Sequence, residues 1–257
     1  MTIQSIHPKK NSHEVLETGV LTKKIDGTLH EFQIVVLTPD DLEEVLRVEK
    51  ETLYSLEKVS QYHPGSRQIF QDSLEGKGLI VGCLVENQLI GFRSIWYPRD
   101  HQDNLGLEIG LQANQLSEVA HLERSCVLPE FRGNNLQIRM TRHAINLAKK
   151  NKYFRYIFST VAPENYASMQ DKFLADMVIV KLKKKYEGFY RYIFFQDIVE
   201  PISSQVNPSE LNYVDGDDID RQSEILSQNE NCYVGFLLKS DNGVNKVGFG
   251  KVEKIVF

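Results

Sequence analysis

Between Val119 and Ile198, extended runs and helical periods take turns along the chain. Val119 to Leu128 is largely apolar and stops at Pro129. Leu136, Met140, Ala144, Leu147 and Ala148 then recur at helical spacing, with Lys149, Lys150 and Lys152 at the end where cations favour the helix dipole. Tyr156 to Val161 is a short extended run, and Asn165 to about Leu174 reads as a second helix. Val178 to Leu182 and Phe189 to Ile198 are extended again. This alternation asks for a mixed sheet covered by helices, an α/β or α+β architecture.

The flanks are simpler. Val20 to Ile25 and Thr28 to Val36 surround Asp26-Gly27, a strong signal for a two-residue hairpin. Thr38 or Asp40 can cap a helix running to about Leu56, and a shorter helix over 66–75 follows Pro64-Gly65. Gly78 to Val85 and Leu89 to Tyr97 form a hairpin around Glu86-Asn87-Gln88. Residues 98–117 make a connection of the length that often carries function. Residues 200–230 are polar and poor in aromatics and read as a linker with a short helix near 217–227. Cys232 to Leu238 and Val244 to Val252 form a terminal hairpin. The expected organisation is a poorly ordered tail over 1–15, one domain over 16–199, and a linker plus hairpin over 200–257.

The 257 residues suffice for a sizeable core, and 41% hydrophobic with 25% charged residues is ordinary for a globular protein. A net charge of −5 gives no basic footprint for nucleic acid. No apolar run approaches the roughly 18 residues of a membrane span, and the N-terminus lacks the apolar core of a secretory signal. Cys83, Cys126 and Cys232 have neither disulfide nor zinc spacing. These features lead to an expectation of a cytoplasmic protein that binds neither metal nor membrane.

Pro129 to Gln137, PEFRGNNLQ, leaves a strand and enters a helix. Pro129 ends the strand, and Gly133 gives the turn the freedom to expose its amides. The first N–H groups of a helix lack intrahelical partners and sit at its positive end, which suits a pyrophosphate. Arg132 can add charge. A plain strand–loop–helix connection explains the same residues without a ligand, and neither the phosphate-loop nor the dinucleotide fingerprint is present.

The stretch HLERSCVLPEFRGNNLQIRM resembles the coenzyme A-binding motif of the GNAT N-acetyltransferase superfamily: Val127, Pro129, Phe131, Arg132, Gly133 and Leu136 match its V-x-P-x-[YF]-R-G-x-G-[LI] pattern. FSTVAP followed by Glu164-Asn165-Tyr166-Ala167-Ser168 is similar to the family's later strand and N-x-x-[SA] helix, and KKKYEGFYRYIF to its last two strands. The resemblance covers roughly residues 30–198. It implies the GNAT-like acyl-CoA N-acyltransferase fold, a mixed central sheet flanked by helices, here with extra N- and C-terminal hairpins. It also implies acetyl-CoA as co-substrate, without a metal, held by Cys126, Val127, Arg132, Gly133, Asn134, Asn135, Leu136, Gln137, Asn165 and Ser168. Asn135 and Gln137 stand where the family places small residues, and Lys172 replaces its frequent general-acid tyrosine. Asn tolerates unusual φ better than most residues, so Asn135 can keep the turn.

The implied reaction is direct transfer of an acyl group from the thioester to an amine. An alkylammonium, with a pKa of about 10.4, must first lose a proton. On the strand Val119 to Val127 strict alternation puts His121, Glu123, Ser125 and Val127 on one face and Leu122, Arg124, Cys126 and Leu128 on the other. The resemblance implies a carboxylate base on this strand. Glu123 is the candidate and His121 the alternative, although Glu123 could equally pair with Arg124 and His121 could be structural. An N–H near Val127 or Cys126 is the implied donor to the thioester oxygen, through a splay in the central strands. Cys126 itself reads as a small core residue. Lys181, Lys183, Lys184 and Lys185 read as a solvated strand edge, or as a rim that attracts a phosphate or an acidic acceptor. Trp96, Tyr97 and the 98–117 connection are the candidates for acceptor recognition. The acceptor is expected to be a small-molecule or peptide amine, and a homodimer is allowed. Two other readings fit the residues: an acyl-carrier-protein-dependent enzyme of the autoinducer-synthase type, and a non-catalytic scaffold that binds coenzyme A or a partner.

Overall fold

The computed structural model describes residues 13–55, 64–150, 154–186, 188–227 and 232–253. Residues 1–12 of the tail expected over 1–15, the helix end expected at Leu56, Lys152 and residues 228–230 of the expected linker lie outside them, whereas His13 pairs with Asp41 and the first strand starts at Val15.

The elements are β1 (Val15–Thr22), β2 (Leu29–Val36), α1 (Leu42–Tyr54), α2 (Arg67–Asp72), β3 (Gly78–Val85), β4 (Gln88–Trp96), β5 (Val119–Val127), α3 (Leu136–Lys150), β6 (Tyr156–Val161), α4 (Tyr166–Phe173), β7 (Val178–Lys185), β8 (Phe189–Asp197), β9 (Asn212–Asp215), α5 (Ile219–Leu226), β10 (Tyr233–Asp241) and β11 (Val244–Lys251). The strands form one mixed sheet in the order β1-β2-β3-β4-β5-β6-β8-β7-β10-β11-β9. β5 and β6 run parallel because α3 carries the chain back between them, whereas the hairpin-joined neighbours are antiparallel.

The helices cover this sheet with their apolar stripes. α1 packs on β4 and β5, and α3 lies on β3, β4 and β5, burying Leu136, Ile138, Met140, Ala144, Ile145 and Ala148. β4 is buried on both faces from Leu89 to Ile95. Arg93 is inside this strand, 1% exposed, so it needs an internal partner.

Three local expectations change. The β1–β2 connection is a longer loop, not a two-residue turn. Gly27 alone takes positive φ there, while the Asp26 carboxylate accepts from Thr28 N–H at 3.0 Å and from its hydroxyl at 2.7 Å. Asp26 therefore makes a local side-chain turn in place of a left-handed backbone. The two-residue turn instead lies at Glu86-Asn87, where φ is 50° and 61°. Finally, the stretch expected as a linker with a short helix near 217–227 has that helix as α5, but it also holds the strand β9 and buries Ile202, Val206, Val214 and Ile225. The terminal hairpin completes this chain's own sheet: β10 pairs with β7, and β11 with β9.

Candidate active site

β5 and β6 separate soon after they meet. Their pairing covers Val119–His121 against Tyr156–Phe158. Beyond it β5 stays with β4, β6 stays with β8, and the Ser159 hydroxyl donates to the Leu122 carbonyl at 2.8 Å where they part. A bulge on β5 lies at the same place: Ser125 faces Arg93 but Leu122 faces Ile95, so Glu123 and Arg124 occupy an extra position. The bulge breaks the strict alternation expected from the sequence, and both side chains reach the cleft.

The cleft is a cavity of about 360 Å³ lined by Arg93, Glu123, Ser125, Val127, Gln137, Ser168 and Lys172 among others. Arg124 N–H donates to Ser94 Oγ at 3.0 Å and Leu128 N–H to the Ile90 carbonyl at 2.9 Å, both toward β4. Because backbone groups alternate along a strand, Cys126 N–H also faces β4 and Val127 N–H faces the cleft. Of the two amides considered as donors, Val127 is thus the one at the open edge. The Cys126 side chain is buried in the core. Four of the five buried side-chain polar atoms without a hydrogen bond among the described residues belong to this cavity's lining: Thr52 Oγ1, Arg93 Nε, Arg124 Nε and Ser125 Oγ. Buried polar groups are rarely left so. A ligand rich in amides and carbonyls matches that need.

At the mouth, Gly133 has φ 92° and Asn135 φ 57°. Asn135 takes the left-handed conformation that the missing glycine would have supplied. Its carbonyl accepts from Arg139 N–H at 3.1 Å, so α3 starts there and the N–H groups of Leu136, Gln137 and Ile138 have no intrahelical acceptor. The Leu136 side chain is in the core, leaving only its backbone for a ligand. The Asn134 side chain is engaged by β1: it accepts from Thr22 N–H at 2.9 Å and donates to the Thr22 carbonyl at 2.8 Å. Arg132 donates from Nε to the Val127 carbonyl at 3.1 Å and from a guanidinium N–H to Ser55 Oγ at 2.7 Å, which fixes it over the mouth. Asn165 caps α4 by accepting from Ser168 N–H at 3.1 Å.

The cleft wall also holds a charged cluster that the sequence left undefined. The Asp171 carboxylate accepts from Arg93 at 2.5 Å, from Lys172 Nζ at 2.7 Å and from Thr141 Oγ1 at 3.2 Å. Burial raises the Asp171 carboxyl, but Lys172 and Arg93 outweigh it and hold it below the usual range. Lys172 is 1% exposed; burial, with Arg93 close by, pushes its ammonium down to about 8. Its position seven residues after Asn165 was legible, but its partners were not.

A second cavity, about 860 Å³, shares Glu123 with the first. Trp96, Tyr97 and the start of the 98–117 connection form one wall, and Lys183, Lys184 and Lys185 another. Glu123, Arg124 and Tyr186 line both cavities. His121 Nε2 accepts from Leu105 N–H at 3.1 Å, so its ring proton sits on Nδ1, 3.3 Å from Glu123 Oε1. The other carboxylate oxygen lies 3.4 Å from Arg124. The lone pair His121 would need as a base is occupied, whereas Glu123 is a partly exposed carboxylate between two cavities. β7 pairs with β8 along its length but, among the described residues, with β10 only at Ile179, so its lysine end keeps an open edge, and there Lys181, Lys183 and Lys185 converge on Glu108.

Among the described residues, no helix is long and apolar enough to cross a membrane. No curated protein matches the chain. An N-acetyltransferase from Staphylococcus aureus Mu50 is 15% identical with TM-score 0.50, over 65% of this chain and 98% of that one. The yncA protein from Salmonella typhimurium, solved with its cofactor acetyl-CoA, is 9% identical with TM-score 0.50, over 66% and 97%. A ribosomal-protein-alanine N-acetyltransferase from Brucella melitensis is 13% identical with TM-score 0.51, over 64% and 99%. At these identities the likeness is one of fold. The model of the acetyltransferase (GNAT) family matches residues 42–170, half of the chain, and the chain belongs to that family.

Proposed function

We propose that this protein transfers an acetyl group from acetyl-CoA to a primary amine by direct attack, with Glu123 as the base. The observation that carries the reading is that two cavities meet at Glu123. The narrower one has the α3 amides at its mouth and suits the pantetheine and pyrophosphate of the donor. The wider one suits the acceptor.

Each residue then has a task. The N–H groups of 133–137 and Arg132 bind the pyrophosphate. Val127 N–H, turned to the cleft, stabilises charge on the thioester oxygen. The Glu123 carboxylate takes the ammonium proton of the acceptor and passes it to water through the wider cavity. His121 and Arg124 hold Glu123 in place. As the N–C bond forms and the C–S bond breaks, Lys172 gives a proton to the thiolate. The proton shed by the nitrogen as the amide forms balances that loss. A lysine lowered to about 8 is mostly protonated at neutral pH and a far better donor than an ordinary one.

The test is release of free coenzyme A from acetyl-CoA across a panel of amines. Amine-dependent release supports the reading. Acylation from acyl carrier protein but not from acetyl-CoA would move the protein to the autoinducer-synthase type. Tight acetyl-CoA binding with no transfer to any amine would leave the scaffold reading.

A further inference from the structure

The charges around the wider cavity narrow the acceptor. Glu108, in the short turn at Leu105–Ile109, points at β7. Lys183 Nζ donates to both its carboxylate oxygens at 2.9 and 2.8 Å, Lys185 Nζ to one at 3.2 Å, and Lys181 Nζ lies 3.7 Å from the other. Burial raises the Glu108 carboxyl, but the hydrogen bonds and charges of Lys183 and Lys185 outweigh it and keep it ionised. One carboxylate thus faces three ammoniums, an excess of two positive charges. Each ammonium has three N–H donors, more than Glu108 can accept. Lys183 and Lys185 both line the cavity, Lys184 adds a third cation, and Arg99 a fourth from the opposite loop, where its own backbone takes φ 49°.

The cavity's carboxylates offset this only locally. Asp72 is paired with Lys77 at 3.1 Å, and the six Lys and Arg side chains of the lining outnumber its four carboxylates. Asp100 follows Arg99 directly in the loop. Glu123 stands apart, on β5, with His121 and Arg124. The cavity therefore carries a carboxylate where the amine reacts and a surplus of lysine charge on its β7 wall. A purely cationic acceptor such as a polyamine would meet that surplus and be repelled.

We propose that the acceptor carries a carboxylate or phosphate as well as the amine that is acetylated, and that Lys183 and Lys185, gathered on Glu108, hold this anionic group while the amine lies at Glu123. The inference rests on the reading of Glu123 and the two cavities given above. The ion pairs with Glu108 also pin the 98–117 connection to β7, so Lys183 and Lys185 both shape the pocket and charge it.

The experiment compares matched acceptors with acetyl-CoA as donor: amines bearing a carboxylate, the corresponding carboxamides, amines bearing a phosphate, the corresponding alcohols, and a polyamine. Wild type and a Lys183→Gln/Lys185→Gln double variant are compared by kcat/KM, and acetyl-CoA binding is measured separately by calorimetry. The anionic member of at least one pair should be preferred at least tenfold in the wild type. That preference should fall below threefold in the double variant and weaken as salt rises, because exposed charges are screened. The dissociation constant of acetyl-CoA should not move. The carboxylate and phosphate arms decide which anion is held. Neutral amines or the polyamine used as well as the anionic acceptors, or a preference that survives the double substitution, overturns the inference. So does acetyl-CoA binding without turnover of any anionic acceptor. Loss of acetyl-CoA binding itself would instead sink the underlying reading. If the double variant does not fold, the salt dependence of the wild-type preference decides: a preference insensitive to salt overturns the inference.

Discussion

Asp171 is the buried carboxylate that neutralises two buried cations, and Asp171→Asn removes its charge with little change of shape. Arg93 and Lys172 are 1% exposed and Asp171 4%. The fall of the Lys172 ammonium from 10.5 to about 8 means that its charged form is disfavoured in the folded protein by about 3 kcal/mol, even with Asp171 present. Without the carboxylate that cost rises, and Arg93 loses its 2.5 Å partner as well. Breaking a buried pair from one side typically costs about 3–5 kcal/mol. For a chain of this size the expected fall in Tm is roughly 6–20 °C. Lys172→Met should behave oppositely: it deletes the disfavoured charge, leaves Arg93 on Asp171, and should be neutral or stabilising by up to about 3 kcal/mol. The pH dependence separates the two. The folded value of Lys172 lies below its unfolded one, so between pH 8 and 10.5 the unfolded chain holds a proton that the folded chain has released. Wild-type stability should therefore rise with pH across that window relative to Lys172→Met. The penalty is complete below pH 8 and gone above 10.5. Chemical denaturation at a series of pH values measures both. An Asp171→Asn variant as stable as wild type at pH 7, or a wild-type minus Lys172→Met difference that does not change with pH, would mean that Asp171 does not offset a buried, disfavoured Lys172 charge.

Three further outcomes follow from the site. Glu123→Gln should lower kcat by roughly 10²–10⁴-fold and remove the acidic limb of the pH–rate profile; an unchanged profile would place the base elsewhere. Gly133→Val forces a β-branched residue to φ 92° and should cost about 1–3 kcal/mol by strain alone, since open space surrounds the position. It should also weaken acetyl-CoA binding, and a variant with wild-type Tm and affinity would show that the turn does not depend on this conformation. Arg132→Ala removes exposed contacts to Val127 and Ser55 and should change stability by less than about 1 kcal/mol. Its affinity for acetyl-CoA, measured by calorimetry, should fall about tenfold, the equivalent of roughly 1.4 kcal/mol.

Much of the fold was legible because its signals are local. β6, with its run from Tyr156 to Val161, and the helical period from Leu136 need nothing beyond their own residues. The turn at Asn135 was legible for the same reason, since a single residue type accounts for its positive φ. The bulge at Glu123 and Arg124 was not, because it is set by the register with β4 and no residue of β5 announces it. Glu108 as the partner of the β7 lysines was not legible either, because it lies some 75 residues upstream. Arg93 in an apolar run gave no hint of its role; its partner is 78 residues away. Residues 200–227 read as a linker because their apolar content is sparse, yet Ile202, Val206, Val214 and Ile225 are each buried when the sheet extends over them. Pairings across the sequence are where a reading of one chain stops.

Crystals grown with acetyl-CoA would show where the donor lies. The pantetheine should lie between β5 and β6, the pyrophosphate within about 3 Å of the N–H groups of 133–137, and the thioester beside Val127 N–H and Glu123. Acetyl-CoA bound outside the β5–β6 cleft, or with its thioester turned away from Glu123, would contradict this placement.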